Sequence, residues 1–495
     1  MEDAKDKLAQ AKKSLAEKDA GRAARLLKEI LEHAPNHAEA LNLSGVVSFQ
    51  RGDLQRADDL FARALKADPG CPGALSNRAN VLNRLDRPGE ALALYDEALL
   101  PNPEHSETLC NRAIVLHRLG RYEEALAGFD KALALRPDFA QAHSNRGLTL
   151  QQTGRPQEAL ASFNRALSLM PDYPFARWNA SLCKLLLGDF AAGWPEYEWR
   201  WKQPEWRTEG ERFKGPRWLG GESLAGKTIL LHAEQGLGDT LQFCRYAPAV
   251  AETGATVLLE VQSPLKELLS TLGGIRQIFA RGEALPPFDF HCPLMSLPLA
   301  FGTTLGTIPA AVPYIRADAV RARQWDEKIG RNGRPRVGIA CSGRPTHRDD
   351  RNRSIPLRHF APLLAQDLQL VSLQKDIRPE DRKMLEETPG ILNFADDLKD
   401  FSDTAALAET MDLVITVDTS VAHLAGAMGK PVWILLPFAP DWRWLLNRED
   451  SPWYPSATLF RQSKTGEWDD VFGRIAANLA SFIGNQRVKS GGGRH

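Results

Sequence analysis

The first 200 residues repeat with a period of 34, which constrains the fold more than any other feature of the sequence. Proline, glycine and alanine all recur on this period. They are Pro35, Pro69, Pro103, Pro137 and Pro171; Gly52, Gly120, Gly154 and Gly188, with Asp86 in the one missing glycine slot; and Ala23, Ala57, Ala91, Ala125 and Ala159. Proline cannot continue a helix, glycine permits a tight turn, and alanine fits where two helices cross. The period therefore predicts a stack of antiparallel helix pairs, one pair per unit.

This period and residue pattern resemble the tetratricopeptide repeat, of which residues 140–171 are a clear unit. The resemblance covers about residues 3–200 and implies an α-solenoid domain, taken as residues 1–200, whose surface binds peptides or protein segments. Two alternatives stay open. The array is a scaffold for the rest of the chain, or it mediates self-association into a homo-oligomer.

An asparagine also recurs on the 34-residue period, on the first helix of each pair. The ladder comprises Asn77, Asn111, Asn145 and Asn179. Burying an amide without partners is costly, so we expect these side chains to hydrogen-bond the backbone of an acceptor peptide. The arrays of protein O-linked sugar transferases are similar in this respect. Amide hydrogen bonds between helices inside the array are the alternative.

A tryptophan-rich segment comes after the repeats. Six of the twelve tryptophans lie between Trp178 and Trp218, in stretches such as GWPEYEWRWKQPEW. Aromatic clusters of this kind typically join domains by packing. We expect residues 201–226 to form a junction that docks the array rigidly on the C-terminal part of the chain.

After Gly226 the pattern changes to short β-rich runs that alternate with helical ones. The predicted strands are KTILLHA, ATVLLEVQ, QIFARG and FDFHCPL in a first half, then PRVGIACSG, LQLVSLQ, LVITVD and PVWILLP in a second half. Such alternation predicts parallel, doubly wound sheets, here two Rossmann-like halves at residues 227–320 and 335–485. A polar stretch, residues 316–335, separates them. The last helix, residues 469–483, is expected to cross back onto the first half.

Composition excludes several classes of function. The formal net charge is zero, with 62 basic and 62 acidic residues, which gives no support to a nucleic-acid binder. The six cysteines form no CxxC pair, so we expect reduced core thiols rather than disulfides or a zinc site. The N-terminus lacks the apolar core of a signal peptide and no run approaches a membrane span, which predicts a cytoplasmic protein.

The stretch HAEQGLGDTLQF, residues 232–243, places two glycines directly after a predicted strand. A dinucleotide-binding turn needs a third glycine where Leu241 stands, and no GK[ST] follows for a phosphate-binding loop. Asp239 behind the glycines would repel a phosphate. The turn is therefore not a phosphate cradle, and its carboxylate needs another role.

GLGDTLQF, together with VDTSVAHLAGAMGKPVWIL in the second half, resembles the heptosyltransferase-like glycosyltransferases of family 9 over about residues 227–483. This resemblance implies the two-domain GT-B fold, a nucleotide-sugar donor and an inverting transfer without metal or other cofactor. With the repeats, the architecture is similar to that of O-linked N-acetylglucosaminyltransferases and bacterial flagellin glycosyltransferases.

The resemblance also implies roles for particular residues. Asp239 corresponds to the catalytic base, with Gly236 and Gly238 letting the backbone pass close to the sugar. A helix cap is the alternative for Asp239, on a helix that starts at Thr240. In the second half Asp418 faces the donor sugar, while the helix start at Thr419 and Ser420 binds its diphosphate.

Further donor-binding residues are expected around the same helix start. His423, one turn on, adds a hydrogen-bond donor to phosphate or merely packs. Arg353 stands where the family has a lysine, in an arginine-rich loop with Arg344, Arg348 and Arg351 that begins at Ser342. A salt-bridged surface loop involving Asp349 and Asp350 is the alternative. Gln374 and Lys375, at the next strand end, are expected to meet base, ribose or phosphate.

The sequence leaves three functions open. The first is transfer of a sugar from a nucleotide-sugar donor to a protein held by the array. The second keeps the transferase but gives it a glycan or lipid-linked saccharide acceptor. The third is a non-catalytic adaptor.

Overall fold

The computed structural model describes residues 2–330, 332–346 and 350–491. The chain divides into two compact units, Met1–Ala176 and Arg177–His495. The division lies within one helix, whereas the predicted repeat domain extended to residue 200. Each unit is described by itself.

The first unit consists of helical hairpins. Its helices are α1 (Glu2–Ala16), α2 (Ala20–His33), α3 (Ala38–Gln50), α4 (Leu54–Ala67), α5 (Ala74–Arg84), α6 (Pro88–Leu99), α7 (Ser106–Arg118), α8 (Tyr122–Leu135), α9 (Ala140–Gln152) and α10 (Pro156–Leu169), and α11 (Pro174–Leu186) begins in it. Odd-numbered helices from α3 onward are the first helices of each pair and even-numbered ones the second.

The periodic residues occupy the positions that the repeat requires. The turn residues Gly52, Gly120 and Gly154 have φ of 82°, 77° and 67°, and Asp86 adopts the same left-handed conformation at 62°. The periodic alanines are fully buried. In the unit of α9 and α10, a Cβ on Gly147 would lie 2.8 Å from the ring of Phe163, so only glycine lets these two helices approach. The predicted helix-pair repeat is confirmed.

The second unit begins with the end of α11 and contains two parallel sheets. Its remaining helices are α12 (Phe190–Tyr197), α13 (Pro204–Gly210), α14 (Leu237–Phe243), α15 (Ala247–Glu252), α16 (Lys266–Leu269), α17 (Leu297–Ala300), α18 (Ala319–Ile329), α19 (Asp350–Arg353), α20 (Pro379–Glu387), α21 (Phe401–Glu409), α22 (Ser420–Ala427) and α23 (Asp469–Gly491). Its strands are β1 (Thr228–His232), β2 (Thr256–Val261), β3 (Ile275–Ala280), β4 (Phe290–Pro293), β5 (Arg336–Ala340), β6 (Gln369–Ser372), β7 (Ile391–Asn393), β8 (Leu413–Val417), β9 (Val432–Leu436) and β10 (Ala457–Arg461).

Both sheets are parallel and doubly wound, which confirms the Rossmann-like α/β character. The first sheet has the order β3-β2-β1-β4 and the second β10-β9-β8-β5-β6-β7. In the first sheet the chain turns away from β1 in opposite directions, toward β2 and toward β4. In the second, β5 leads to β6 and β7 on one side, whereas β8 leads to β9 and β10 on the other. The crevices at the carboxyl ends of β1/β4 and β5/β8 are therefore the topological switch points.

Between β1 and β2 the helical region is divided, because α14 ends at Phe243 and α15 has Pro248 in its first turn. Two sequence expectations need correction. The polar stretch over residues 316–335 contains α18, whose Trp325 packs on Phe394 of the second half. The last helix, α23, does not cross to the first half. Its buried residues belong to the core of the second sheet, with Val337 and Ile415.

The tryptophan-rich segment packs against both α/β halves. Trp194 of α12 donates its Nε1–H to the carbonyl oxygen of Thr303 at 3.0 Å, and its ring meets Trp442 edge-on at 5.2 Å. Phe190 stacks on Trp453 at 6.1 Å. These contacts tie residues 190–201 to the first and second halves of the same unit.

All six cysteines are free and buried, as expected for core thiols. Among the described residues, no helix combines the length and the apolar character that crossing a membrane requires.

Candidate functional site

The switch point of the second sheet is bridged by Arg353. Its Nη1 donates to the carbonyl oxygen of Asp418 at 2.9 Å, which joins the loop after β5 to the end of β8. Its guanidinium lies against Gly343, where a Cβ would be 2.7 Å from Nη2. The Nε–H of Arg353 is buried and has no hydrogen-bond partner in the described part of the chain. Arg353 therefore places a positive charge at this crevice, together with an N–H group that no described residue accepts as a hydrogen-bond donor.

The start of α22 lies at the same crevice. Thr419 is its N-cap, with the side-chain Oγ1 accepting the backbone N–H of Val421 at 3.3 Å. Ser420 is the first helical residue and is half-buried. A helix start presents N–H groups that no intrahelical bond uses, and its dipole favours an anion. The predicted residues Arg353, Thr419 and Ser420 therefore come together.

The carboxyl group of Asp418 is mostly buried between charged neighbours. Burial and the Asp441 carboxylate raise the pKa of Asp418 to about 6, against the lowering effect of the Arg353 and Arg443 guanidinium groups. The group therefore changes charge close to neutral pH. An anion bound here would meet a less acidic neighbour than an ordinary aspartate.

His423 is a packed core residue in this structure. Its Nδ1 is 2.9 Å from the hydroxyl of Tyr454, and its ring stacks on Trp444 at 5.5 Å. Burial lowers the pKa of His423 well below its ordinary value, so the ring is neutral at pH 7. Of the two interpretations offered by the sequence, these contacts fit packing.

Asp239 lies opposite, at the start of α14, and both of its carboxylate oxygens have partners. Oδ2 accepts the backbone N–H of Gly236 at 2.7 Å, and Oδ1 pairs with the guanidinium of Arg443. The helix begins at Leu237 rather than at Thr240, so Asp239 stands in its first turn, not before it. Its bond from the N-cap N–H is one half of a capping box; the other half is missing because the N-cap residue, Gly236, has no side chain.

Arg443 is the residue through which Asp239 is tied to the second half. It is buried, and it also donates to Gln242 Oε1 at 2.6 Å and to Asp441 Oδ1 at 2.9 Å. Burial opposes the charge of Arg443, but the carboxylates of Asp441 and Asp239 raise its pKa, so the side chain stays cationic. No motif in the sequence marked Arg443 or Asp441.

The structure gives a reason for glycine at position 238 that the sequence did not reveal. A Cβ at this position would lie 2.7 Å from Cδ2 of His423 and 3.5 Å from Cα of Ser420. The glycine is needed because α14 and α22 approach each other here. Gly236 takes an extended conformation, with φ of −74°, that does not require glycine.

Ser342 and Gln374 bond each other beside the crevice. Both are buried, and Gln374 Nε2 donates to Ser342 Oγ at 2.8 Å while its Oε1 accepts the Cys341 N–H at 2.7 Å. Lys375 is exposed and its ammonium donates to the carbonyl oxygen of Lys399. These contacts fix the loops after β5 and β6.

The arginine-rich loop is only partly described. Asp350 is buried and pairs with Arg378, while its Oδ1 accepts the hydroxyl of Ser354 at 2.7 Å. Arg344 and Arg351 are exposed. Arg348 and Asp349 lie outside the described residues. Asp350 is thus an internal anchor of the loop, not part of a surface salt bridge.

The switch point of the first sheet holds a buried ion pair that sequence reasoning missed. Arg200, from the tryptophan-rich segment, donates to Glu234 Oε1 after β1 and to Ser296 Oγ after β4, both at 2.8 Å, and to Glu198 Oε1 at 2.6 Å. The side chains of Arg200 and Glu234 are 0% exposed. Burial raises the pKa of Glu234 to about 7, although Arg200 lowers it. The crevice is therefore filled by the chain itself.

The asparagine ladder has mixed surroundings. Asn77 Nδ2 donates to Asn42 Oδ1 at 3.0 Å, a bond between neighbouring first helices, although Asn42 is one residue out of step with the 34-residue period. Asn145 donates to the Gln141 carbonyl oxygen of its own helix at 2.9 Å. Asn111 is half-buried, whereas Asn179 is fully buried. The Asn77–Asn42 bond is an amide hydrogen bond between helices inside the array, which is what the alternative interpretation expected.

Comparison with known proteins identifies the repeats. Family models described as tetratricopeptide repeat match residues 14–81, 72–138 and 104–172. Residues 14–172 are tetratricopeptide repeats.

A curated relative extends the similarity beyond the repeats alone. Protein FlbA of Caulobacter vibrioides (strain ATCC 19089 / CIP 103742 / CB 15) is 28% identical over 324 residues, which is 60% of this chain and 54% of that protein. The chain therefore spans about half the length of the curated relative it matches.

Solved structures resemble part of the chain. The crystal structure of YrrB, a TPR protein with an unusual peptide-binding site, is 25% identical, with a TM-score of 0.30 over 34% of this chain and 88% of that one. The type IV pilus biogenesis factor PilW is 20% identical, with a TM-score of 0.38 over 42% of this chain and 97% of that one.

Proposed function

We propose that the chain is a glycosyltransferase that moves a sugar from a nucleotide-sugar donor to a hydroxyl group of a protein bound by the repeats. The observation that carries the proposal is the meeting of Arg353 with the start of α22 at the β5/β8 switch point. Ligands of doubly wound sheets bind at such crevices, and a helix start beside an arginine suits a diphosphate.

In this proposal the donor diphosphate is held by Arg353 and by the N–H groups at the start of α22. The acceptor oxygen attacks the anomeric carbon of the sugar, and the bond from that carbon to the diphosphate oxygen breaks. The leaving nucleoside diphosphate keeps the electron pair, and Arg353 and the helix dipole stabilise its charge. Asp239 takes the acceptor proton as the reaction inverts the anomeric centre.

Arg443 has a positioning role in this scheme. It fixes Asp239 at the boundary between the two halves through their ion pair, and it is itself fixed by Asp441 and Gln242. A base must be held close to the proton that it removes. The second lone pairs of the Asp239 oxygens remain for the acceptor hydroxyl.

The engagement of both Asp239 oxygens favours one alternative, a non-catalytic adaptor in which Asp239 only caps α14 and joins the halves. Turnover separates the two functions. The full chain is incubated with UDP-, GDP- and ADP-sugars, and release of the nucleoside diphosphate is measured. Transferase activity predicts release with at least one donor and its loss in Asp239→Asn with donor binding retained. Full activity in Asp239→Asn would leave that residue structural.

The acceptor is tested through the ladder. A chain with Asn77, Asn111 and Asn145 changed to alanine is expected to lose transfer to protein while keeping slow hydrolysis of the donor. Asn164→Ala, an exposed asparagine on α10, is the matched control and keeps both. Unchanged transfer to protein in the triple variant would show that the ladder does not hold the acceptor. Donor turnover that is stimulated by a glycan or a lipid-linked saccharide, but by no protein, would favour the second function.

A further inference from the structure

The groove between α2 and α4, over α3, differs from the corresponding grooves farther along the repeats. It has a volume of about 760 Å³. Its charged lining residues are Arg25, Lys28, Glu32, Arg51, Asp53 and Arg56. The four basic side chains are exposed. Lys28 Nζ lies 3.8 Å from Glu32 Oε1, one turn on in α2, and Asp53 is the N-cap of α4. With four bases against two acids, the rim carries a net positive charge. We call this the α2–α4 groove.

A later groove is built from the equivalent positions. It lies between α8, α9 and α10, has a volume of about 420 Å³, and is lined by Asp130, Arg146 and Glu158 among others. There Arg146 Nε donates to Asp130 Oδ1 at 2.6 Å and Arg146 Nη1 to Ser162 Oγ at 2.9 Å. Glu158 pairs with Arg155 at 2.6 Å. The Arg146–Asp130 pair thus joins α9 to α8 across this groove, and the Arg155–Glu158 pair lies within the start of α10.

Similar ion pairs occur at the two junctions between these grooves, one formed by α4, α5 and α6 and the other by α6, α7 and α8. Each has an arginine of a first helix paired with an aspartate of the preceding second helix, and an arginine–glutamate pair at the start of the next one. The pairs are Arg78–Asp58 and Arg87–Glu90 at the first of these junctions, and Arg112–Asp96 and Arg121–Glu124 at the second.

The α2–α4 groove departs from this pattern at every charged position. Three repeat periods before Asp130, Arg146 and Glu158 stand Lys28, Ser44 and Arg56. An acid is replaced by a base, the closing arginine by a small residue, and a second acid by a base. Among the junctions that the structure describes, the first is therefore open and basic.

We propose that the α2–α4 groove binds an acidic segment of a partner polypeptide. Arg25, Lys28, Arg51 and Arg56 supply complementary charge along the rim, and complementary charge directs association. Beneath them lie the apolar side chains of Ala24, Leu31, Val47 and Leu60. An apolar floor with a basic rim suits carboxylates that flank an apolar side chain. The ladder asparagines lie elsewhere, on α5, α7, α9 and α11, so this surface is distinct from the proposed acceptor site.

The test uses the full chain and a fluorescent ten-residue peptide with two central leucines flanked by four glutamates on each side. Binding is expected to weaken with added salt, and the peptide with glutamine in place of glutamate should bind at least tenfold more weakly. Equal binding of the glutamine peptide would overturn the proposal. So would displacement by inorganic phosphate or free glutamate at the concentration of peptide used, because either would indicate a small-anion site.

Exchanging residues between equivalent positions of the repeats tests whether the peptide binds in the α2–α4 groove. Lys28→Asp, Ser44→Arg and Arg56→Glu together install the closed pattern and should lower the affinity at least tenfold. The milder pair Lys28→Gln with Arg56→Gln covers the case in which the triple variant does not fold, and should also weaken binding. Unchanged affinity in a folded variant of either kind would overturn the proposal.

The converse exchange is the matched experiment. Asp130→Lys, Arg146→Ser and Glu158→Arg together install the open pattern between α8 and α10. In the otherwise unchanged chain, the stoichiometry of peptide binding is expected to rise from one to two. A folded variant that still binds a single peptide would overturn the argument that these positions select the partner.

Discussion

In the four-stranded sheet, the crevice at the switch point is filled by Arg200 of the chain itself, bonded to Glu234 and Ser296. In the six-stranded sheet, the equivalent crevice is bordered by Arg353, Asp418 and the start of α22. Arg200 is 0% exposed with several carboxylate and hydroxyl partners. Arg353 is 17% exposed, and its Nε lies 4.0 Å from Asp350 Oδ1 without a hydrogen-bond partner among the described residues. The same topological position therefore serves stability in one sheet and is suited to a ligand in the other.

The largest loss of unfolding free energy is expected for Arg200→Ala. Removing Arg200 takes the ion-pair partner from the buried Glu234, which costs about 3–5 kcal/mol of unfolding free energy, whereas Glu198 keeps Arg217 at 3.7 Å. Arg353→Ala is the matched control and should cost about 1–2 kcal/mol, since it removes one hydrogen bond to a carbonyl oxygen and an ion pair of 4.0 Å with Asp350. Urea denaturation of the full chain measures both. Equal losses of unfolding free energy in the two variants would contradict the conclusion that the two crevices differ in their contribution to stability.

A smaller, pH-dependent effect is expected for Glu234→Gln. The pKa of Glu234 is raised to about 7 in the folded protein, so its contribution to stability is present below about pH 4.5 and is lost as the pH rises through 7. Gln does not titrate. The unfolding free energy of the variant relative to the parent should therefore rise by about 1–3 kcal/mol between pH 5 and pH 8.

Glu198→Gln is the control for that titration. The pKa of Glu198 is lowered, since Arg200 and its hydrogen bonds outweigh the effect of burial. Its contribution is lost only as the pH falls below about 4.5, so the difference from the parent should stay flat between pH 5 and pH 8. A flat difference for Glu234→Gln as well would show that the raised pKa of Glu234 is wrong.

The smallest effect concerns donor affinity. Asp418 has a pKa of about 6, and protonation removes a negative charge beside the proposed diphosphate site. Affinity for a nucleotide-sugar, whose diphosphate diester does not titrate in this range, should rise severalfold from pH 7.5 to pH 5.5. Asp418→Asn should bind with little pH dependence. Titration calorimetry at the two pH values measures this, and an affinity that falls on acidification would place the diphosphate away from Asp418.

The sequence predicts the repeats and the sheet class well because their signals are local and periodic. It misses β7, which has three residues, and β10, in which Thr458 is exposed within an otherwise buried run. It also misses α18, because a polar helix with Trp325 as its buried residue shows no apolar stripe.

The site residues also divide into those with a local signal in the sequence and those without one. Thr419 and Ser420 follow a buried strand directly, so their place at a helix start can be predicted from neighbours in sequence. Arg200 and Glu234 are 34 residues apart and Arg443 and Asp239 are 204 apart. A charged residue that is buried by a distant partner carries no local signal. Gly238 likewise marks a contact with His423 that only the fold creates.

In the proposed function the second crevice, not the first, binds the donor diphosphate. Isothermal titration of the full chain with UDP, GDP and ADP tests it, comparing the parent with Arg353→Ala and with Arg358→Ala, an exposed arginine on the same segment. At least one nucleotide should bind the parent and Arg358→Ala equally, and bind Arg353→Ala at least tenfold more weakly, about 1.4 kcal/mol. Unchanged affinity in a folded Arg353→Ala chain would contradict the claim, as would the absence of binding by all three nucleotides.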